Sequence, residues 1–361
     1  MNYTSEDISL LNEEAIGLLK QLISIPSLSR EEDKTGHVIA TFLTDKGIDV
    51  HRKKNNIWAF NKYFDSQKPT LLLNSHHDTV KPNPSWTLDP FEPLISEGKL
   101  YGLGSNDAGG CLVSLITAFL YFYPQEGMHY NIVLVASAEE EISGKDGLEI
   151  VLPELPPLEF AIVGEPTDMD LAIAEKGLLV LDCIARGKSG HAAREEGINA
   201  IYKALNDISW INSYAFPKVS PMMGPVKMSV TIINSGTQQH NVVPDTCTFT
   251  IDVRVTEQYT LEEVIDIVRT NISSEVNPRS IRLRPSSIPE DHPIVKAGIA
   301  LGKKTYGSPT TSDQALLTCP SLKMGPGHSG RSHSADEYIY LKEIEEGIRQ
   351  YISMLQTVVY L

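Results

Sequence analysis

Histidines and carboxylates are concentrated at a few points of the sequence, and the first is the Ser-His-His-Asp segment 75–78. It directly follows the apolar run 70–74, which predicts a buried strand, and ligand sites in α/β proteins open at the carboxyl ends of such strands. Side chains alternate along a strand, so His76 and Asp78 share one side and His77 takes the other. His76 could therefore bind a metal while Asp78 orients it. A histidine pair that only forms hydrogen bonds is the alternative for this segment alone.

Carboxylates occupy the next two clusters. The glycine-rich segment 102–110 lacks the lysine and the glycine spacing of a phosphate-binding loop. Its glycines permit a turn that could present Asp107 inward as a ligand. The segment Ala138-Glu139-Glu140-Glu141 comes immediately after the apolar run that ends at Ser137. Three successive carboxylates usually form a solvated turn. At the end of a buried strand, however, one glutamate could ligate a cation while its neighbour acts as a base.

Two further ligand candidates lie on loops shaped by glycine and proline. Glu165 follows the apolar run 160–163, and His333 ends the segment 325–333. Each is weak evidence alone. Taken with the clusters above, they complete a set of two histidines and three carboxylates, which suits zinc, with cobalt or manganese as substitutes.

Composition limits the classes of function. The 361 residues include 46 acidic and 31 basic side chains, a formal net charge of −15. This excess of negative charge argues against nucleic acid or anionic membrane as partners, and no apolar run is long enough to span a bilayer. The N-terminal residues do not resemble a secretory signal, and four widely spaced cysteines form no CxxC pair. We therefore expect a cytoplasmic protein.

The elements that must position these residues alternate between strands and helices. Apolar spacing predicts a helix from Ser5, and Ser29 with Glu32 predicts a capping box for a second helix. Strands are predicted at 56–61, 70–75 and 131–138, with a helix at 108–122. This order favours an α/β domain with a largely parallel sheet between helices.

A different order begins near residue 178. Strands at 178–184, 226–234, 246–256 and 281–284 and helices at 199–211 and 261–272 follow the β-α-β-β-α-β order of a ferredoxin-like unit. We therefore predict a catalytic domain formed by residues 1–176 and 287–361, into which an α+β domain at 177–286 is inserted.

At this point a resemblance covers nearly the whole chain. The order His76-x-Asp78, Gly104-x-x-Asp107, Glu140-Glu141, Gly164-Glu165-Pro166-Thr167 and His333 with Asp336-Glu337-Tyr338 resembles the M20 family of dinuclear zinc amidohydrolases. The resemblance implies two Zn²⁺ ions, one held by His76 and Glu165 and the other by Glu141 and His333, with Asp107 bridging both. It further implies that Asp78 supports His76, that Glu140 is the general base, and that the peptide after Asp107 is cis.

The resemblance also gives roles to the inserted domain, as a lid and a dimerisation domain of a homodimer. His191 would reach the active site of the partner subunit and stabilise the oxyanion. Asn241 and Arg254 match substrate-contacting positions, and a guanidinium suits an α-carboxylate. The alternative for His191 is a surface loop histidine, and the alternative for Arg254 is a salt bridge at the sheet edge.

The resemblance implies hydrolysis of a small N-acyl amino acid. Residues 325–327 and 336–338 resemble the acetylornithine deacetylase branch, which serves arginine synthesis, whereas Thr311-Ser312-Asp313 resembles the succinyl-diaminopimelate desuccinylase side. A succinyl group would need a cation for its distal carboxylate, such as Arg331, Lys188 or Arg194, and the acidic surface instead favours a cationic ornithine. Two more classes stay open at this point, a dipeptidase that uses the same metals and a noncatalytic binding protein.

Overall fold

The computed structural model describes residues 5–194, 196–237 and 239–361; residues 1–4, Glu195 and Gln238 of the predicted domains lie outside these ranges. Contacts divide the chain into two compact units. The first contains the described residues up to Ile173 together with Ile288–Tyr306 and Ser312–Leu361, and the second contains Ala174–Ser287 and Gly307–Thr311. The predicted limits at 177 and 286 lie close to these bounds, whereas 307–311, predicted in the catalytic domain, groups with the second unit.

The helices and strands alternate along most of the chain. The helices are α1 (Ser5–Ile23), α2 (Asp33–Asp45), α3 (Gly110–Phe122), α4 (Leu148–Val151), α5 (Ala200–Ser213), α6 (Leu261–Asn271), α7 (Pro293–Ala300) and α8 (Leu341–Val358). The strands are β1 (His51–Lys53), β2 (Asn56–Phe60), β3 (Thr70–His76), β4 (Leu94–Ser96), β5 (Lys99–Tyr101), β6 (Asn131–Ser137), β7 (Leu158–Val163), β8 (Leu171–Glu175), β9 (Gly177–Arg186), β10 (Gly190–His191), β11 (Lys227–Asn234), β12 (Val242–Val243), β13 (Thr246–Val255), β14 (Glu275–Pro278), β15 (Ser286–Ser287), β16 (Thr305–Ser308), β17 (Ser321–Lys323) and β18 (Tyr338–Tyr340). Within the described ranges, no helix combines the length and the apolar character needed to cross a membrane.

The first unit is built on a sheet in the order β1-β2-β6-β3-β7-β17-β8. Its central strands β6, β3, β7 and β17 are parallel to one another, and every residue of β3 and β6 is buried. Strands covered on both faces need apolar residues at consecutive positions, which explains their continuous apolar runs. The predicted α/β fold with a largely parallel sheet is confirmed.

Core residues of β3 show how the sheet is covered. Leu71 and Leu73 join one apolar core that also contains residues of α1, α3 and α8. Leu72 points the other way and joins a second core with Leu148 and Val151 of α4. The sheet therefore lies between helices, as alternation of side chains along a strand requires.

The register of the parallel strands brings their carboxyl ends to one edge of the sheet. His76 at the end of β3 pairs with Ser137 at the end of β6, and Asn74 pairs with Val163 at the end of β7. The segments that leave these three strands therefore begin side by side. This edge is where a ligand site is expected in an α/β sheet.

The second unit contains a four-stranded antiparallel sheet in the order β11-β13-β9-β14, with helices α5 and α6. The elements follow the predicted β-α-β-β-α-β order, but the strand predicted at 281–284 is wrong. The fourth strand is β14, whose Val276 is buried in the core of this unit, while Ile281 is exposed. Asp207 accepts hydrogen bonds from the backbone N–H groups of Ser273 and Ser274 and so fixes where the chain turns into β14.

Candidate metal centre

His76 is the centre of a first group of possible metal ligands in the first unit. Its Nε2 lies 3.4 Å from Oδ1 of Asp107 and 3.9 Å from Oε1 of Glu165. His76 is almost completely buried, and its Nδ1 lies 3.0 Å from the carbonyl oxygen of Asp78 and 3.4 Å from its Oδ1. His77 points away and contacts Thr35 through Nδ1, so the predicted alternation is confirmed. One ring nitrogen of His76 thus faces two carboxylates while the other is held by Asp78.

His333 is the centre of a second group. Its Nε2 lies 3.0 Å from Oε2 of Glu141 and 3.6 Å from Oδ2 of Asp107. Roughly half of the His333 side chain is exposed, whereas Glu141 and Asp107 are nearly enclosed. In each group, one donor atom from every member lies within 4.8 Å of the others, close enough to hold one metal ion.

Asp107 belongs to both groups. Its Oδ1 faces His76 and its Oδ2 faces His333. Asp107 lies on a turn that begins at Gly104, whose φ of 74° favours glycine, and a Cβ at Gly104 would come within 2.6 Å of Cγ2 of Thr79. The peptide bond between Asp107 and Ala108 is cis, as the resemblance implied. The turn therefore presents one carboxylate oxygen to each group.

Asp78 holds the turn that carries the glutamates after β6. Its Oδ1 accepts a hydrogen bond from the backbone N–H of Glu140 at 3.0 Å, and its Oδ2 accepts one from Glu141 at 3.2 Å. Ser29 donates a further hydrogen bond to Oδ2 at 2.6 Å. Asp78 therefore fixes both His76 and the main chain of the two glutamates, which is more than the sequence predicted.

The side chains of Glu140 and Glu165 are largely buried, each near other carboxylates. Burial raises the pKa of Glu140 well above its usual range, and the Glu165 and Asp313 carboxylates add to this effect while His76 opposes it. Burial together with the Asp107 carboxylate raises the pKa of Glu165 to about 8. Buried carboxylates that repel one another in this way would be stabilised in their ionised form by a cation.

The pKa values of the two histidines are also raised, but by contacts with carboxylates rather than by burial. Burial by itself lowers the pKa of His76, but its contacts with the Asp107 and Asp78 carboxylates outweigh burial and raise the pKa well above its usual value. The contact with Glu141 raises the pKa of His333 to about 9. Nitrogen and oxygen donors that converge around two points, without a cysteine thiolate among them, fit zinc or a similar divalent ion.

Two buried carboxylates support the loops of this region, and sequence reasoning missed what they do. The capping box predicted from Ser29 and Glu32 is wrong, because the Ser29 hydroxyl binds Asp78 and Glu32 makes no side-chain cap for α2. Glu32 instead accepts hydrogen bonds from the backbone N–H of Glu139 and the side-chain amide of Asn55.

The other carboxylate is Glu337, which accepts a hydrogen bond from the backbone N–H of Asp107. Neither long-range contact has a local sequence signal.

The other predicted site residues have contacts within their own units. In the second unit, His191 is exposed on the short β10–β12 pairing, and the adjacent Asn241 accepts a hydrogen bond from the backbone N–H of Ala192. Arg254 is paired with Asp252, with Nε to Oδ1 at 2.9 Å.

Arg331, in the first unit, is engaged by its own surroundings. Its guanidinium binds both carboxylate oxygens of Glu343, at 2.7 and 2.8 Å, and lies over the ring of Tyr338. A bidentate pair of this kind is among the stronger charged hydrogen bonds. Arg331 is therefore bound to a carboxylate of its own chain.

Comparisons with known proteins cover most of the chain. The sequence pattern of peptidase family M20/M25/M40 matches residues 72–357. The chain is 27% identical to a succinyl-diaminopimelate desuccinylase of Wolbachia pipientis, over 92% of this chain and 90% of that protein. It is 29% identical to an acetylornithine deacetylase of Proteus mirabilis, over 91% and 93% of the two chains. The crystal structure of a dinuclear metal-binding M20 peptidase from Bacillus subtilis has the same fold, with a TM-score of 0.71 and 17% identity over 97% of this chain and 99% of that one.

Proposed function

The chain belongs to peptidase family M20/M25/M40, whose members are hydrolases, and we propose that it is a dinuclear zinc enzyme that cleaves the amide bond of an N-acyl amino acid. The observation that carries this proposal is the position of Asp107, whose two oxygens face His76 and His333 separately. A carboxylate placed in this way can be shared by two ions. The name of the similar peptidase from Bacillus subtilis, which describes a dinuclear metal site, supports the same interpretation.

His76 and Glu165 would hold one ion, Glu141 and His333 the other, and Asp107 both. When bound, two such ions supply Lewis acidity, which lowers the pKa of water and polarises an amide carbonyl. Cobalt or manganese could replace zinc, because the same donor types accept them.

Glu140 is the residue that we propose moves the proton. Its Oε2 lies 4.0 Å from Nε2 of His76, and its backbone N–H is held by Asp78. From there the carboxylate can take a proton from the attacking water and return it to the leaving amine, the usual exchange of a general base and acid.

We propose N-acetylornithine as the substrate, which would place the protein in arginine synthesis. The net charge of −15 favours a substrate with a cationic side chain, such as that of ornithine. Arg331, one of the cations that could bind a succinyl carboxylate, is already paired with Glu343. The similarity to desuccinylases favours a second candidate, N-succinyl-diaminopimelate, although the Asp313 in the desuccinylase-like segment is buried and bound to Asn74 and Ser137.

Matched substrates test the choice of acyl group. The metal-reconstituted protein is assayed with N-acetyl and N-succinyl derivatives of ornithine, citrulline and diaminopimelate and with free dipeptides, each with and without a chelator. We expect chelator-sensitive release of acetate from N-acetylornithine at the highest kcat/KM. Faster release of succinate would keep the chemistry and change the substrate, while hydrolysis of only the free dipeptides would replace the deacylase with a dipeptidase.

We further propose a homodimer formed through the second unit. Strand β11 is at one edge of its sheet, and Ile232 and Ile233 on it are 56% and 51% exposed. Tyr202 and Leu205 of α5 are also exposed. An exposed apolar edge strand invites pairing with another chain, and pairing with a second copy would cover it symmetrically.

Charged residues on this edge should separate the subunits. The double variant Ile232→Lys and Ile233→Lys is expected to sediment as a monomer at micromolar concentration, where the wild type sediments as a dimer, because two buried charges would oppose pairing. Ile281→Lys, an exposed position away from β11, is the matched control and should remain a dimer. A monomeric wild type would contradict the proposal.

His191 is proposed to stabilise the oxyanion in the partner subunit, as the family resemblance implies. Its exposure on β10, beside Asn241, supports a role in binding rather than in a core. His191→Ala is expected to lose about 100-fold in kcat while keeping its metal content, a typical effect of removing one oxyanion donor. Mixing His191→Ala with Glu140→Ala subunits should restore activity, and the absence of any recovery in verified mixed dimers would argue against a shared site.

A reducing, cytoplasmic setting is proposed together with this function. Cys111, Cys183, Cys247 and Cys319 are all free thiols, and the first three are buried. Disulfides are rare in that compartment, so free cysteines support the proposal.

A further inference from the structure

Glu337 is a buried carboxylate outside the two groups of possible ligands. Its exposure is 2%, and it lies on the chain four residues after His333, just before β18. Its Oε1 accepts hydrogen bonds from the backbone N–H groups of Asn106 at 2.8 Å and Asp107 at 2.9 Å. Its Oε2 accepts a third from Gly104 at 3.2 Å. One side chain thus binds almost the entire turn that carries Asp107.

The same turn also contacts His328, which lies nine residues before Glu337. The side-chain Oδ1 of Asn106 accepts a hydrogen bond from the backbone N–H of His328 at 3.0 Å, and its Nδ2 donates one to the His328 carbonyl at 3.2 Å. The backbone carbonyl of Glu337 also accepts a hydrogen bond from Gly102. The turn therefore depends on the segment 328–337, which also carries His333.

We propose that Glu337 is a positioning residue of the metal centre, which fixes the Asp107 carboxylate between the two groups and links it to the segment that carries His333. The inference rests on the proposed function, because it assigns to Asp107 the shared ligand role. Glu337 belongs to neither group of possible ligands. It acts through the main chain of residues 104–107, so a shift of this turn would move both oxygens of Asp107 at once.

The chemistry of the contact requires a carboxylate of this length. Three N–H donors need acceptors, and an ionised carboxylate offers two oxygens that only accept. A glutamine at this position would keep one acceptor and turn an NH₂ group toward at least one N–H, leaving donors unpaired in a buried place. An aspartate would keep both acceptors but be one methylene shorter.

Cobalt binding tests the proposal without relying on turnover. Apo protein is titrated with Co²⁺ and followed by visible absorption, since the ligand-field bands report the donor geometry. We expect Glu337→Gln to bind Co²⁺ at least about tenfold more weakly than the wild type, with altered bands, as for other residues that orient metal ligands. Glu337→Asp should bind with an affinity between the two.

Asp336→Asn is the matched control. Asp336 is the neighbouring acid and also accepts backbone hydrogen bonds, but from Thr87 and Leu88 rather than from the turn of Asp107. Its Co²⁺ titration should match that of the wild type. A general loss of structure in this segment would instead affect both variants alike and would overturn the specific role of Glu337.

Wild-type affinity and bands in a folded Glu337→Gln variant would also overturn the proposal. If circular dichroism shows that this variant does not fold, the titration of Glu337→Asp decides: weaker binding than the wild type supports the role, and equal binding rejects it. Failure of the proposed function is separable, since a wild type that binds Co²⁺ but hydrolyses none of the amides would leave this titration valid.

Discussion

Replacing Glu140 with alanine is expected to reduce kcat by about 100-fold to 10,000-fold, the usual contribution of a general base, while the zinc content stays at the wild-type level. Glu140 is not needed to complete either group of possible ligands, since His76, Asp107 and Glu165 form one and Asp107, Glu141 and His333 the other. Metal analysis and steady-state kinetics on the same preparation measure both quantities.

The control for this variant is Glu154→Ala. Glu154 pairs with Lys53 at the surface, so its loss should leave both kcat and zinc content unchanged. Residual activity of Glu140→Ala within tenfold of the wild type would reject Glu140 as the base. Loss of zinc from this variant would instead show that Glu140 is a ligand and would require a new assignment of the two groups.

Replacing Asp107 with alanine should have an effect of comparable size. Because its two oxygens face separate groups, we expect weaker binding of both ions and a loss in kcat/KM on the order of 1,000-fold, corresponding to about 4 kcal/mol of transition-state stabilisation. Removal of Glu165 or Glu141, each of which belongs to one group, should affect mainly one ion.

Isothermal titration with Zn²⁺ distinguishes these variants. Asp89→Ala serves as the control, since the Asp89 carboxylate accepts a hydrogen bond from Phe91 in an exposed loop. An Asp107→Ala variant that still binds two ions with wild-type affinity would refute the shared role of this residue and remove the main support for a dinuclear centre.

The part of the site that follows from strand ends could be predicted from the sequence. The continuous apolar runs of β3 and β6 indicate buried parallel strands, and the carboxyl ends of such strands share one edge. His76, Asp78 and the glutamates at 140 and 141 follow directly from this rule. Asp107 and His333 do not leave the end of a central strand, so the sequence offered them only as candidates on glycine-rich or proline-rich loops, and their roles needed the family resemblance.

The supporting contacts could not be predicted, because they join residues far apart in the chain. Ser29 and Glu32 fit a capping box locally, yet their side chains bind Asp78 and the backbone of Glu139 instead. Tertiary contacts outweigh a local capping preference when a buried polar group needs a partner. Glu337 and Asp107 are likewise separated by 230 positions, so no local pattern relates them.

The position of β14 shows the same limit in the second unit. Apolar residues at 281 and 283 favoured a strand there, but the backbone N–H groups of Ser273 and Ser274 bind Asp207 and direct the chain into β14 earlier. Val276 then reaches the core that Ile281 does not. Burial decided the pairing, and strand preference alone is a weak guide.

Stepwise reconstitution of metal-free protein is the most direct test of the central claim, a dinuclear metal hydrolase of N-acyl amino acids. Apo protein is titrated with Zn²⁺ while hydrolysis of N-acetylornithine is followed and bound zinc is measured in the same samples. We predict that two equivalents bind per chain, that activity reaches its full value only as the second site fills, and that a chelator removes it. Full hydrolysis by the metal-free protein, or a maximum with no more than one bound equivalent, would contradict this claim.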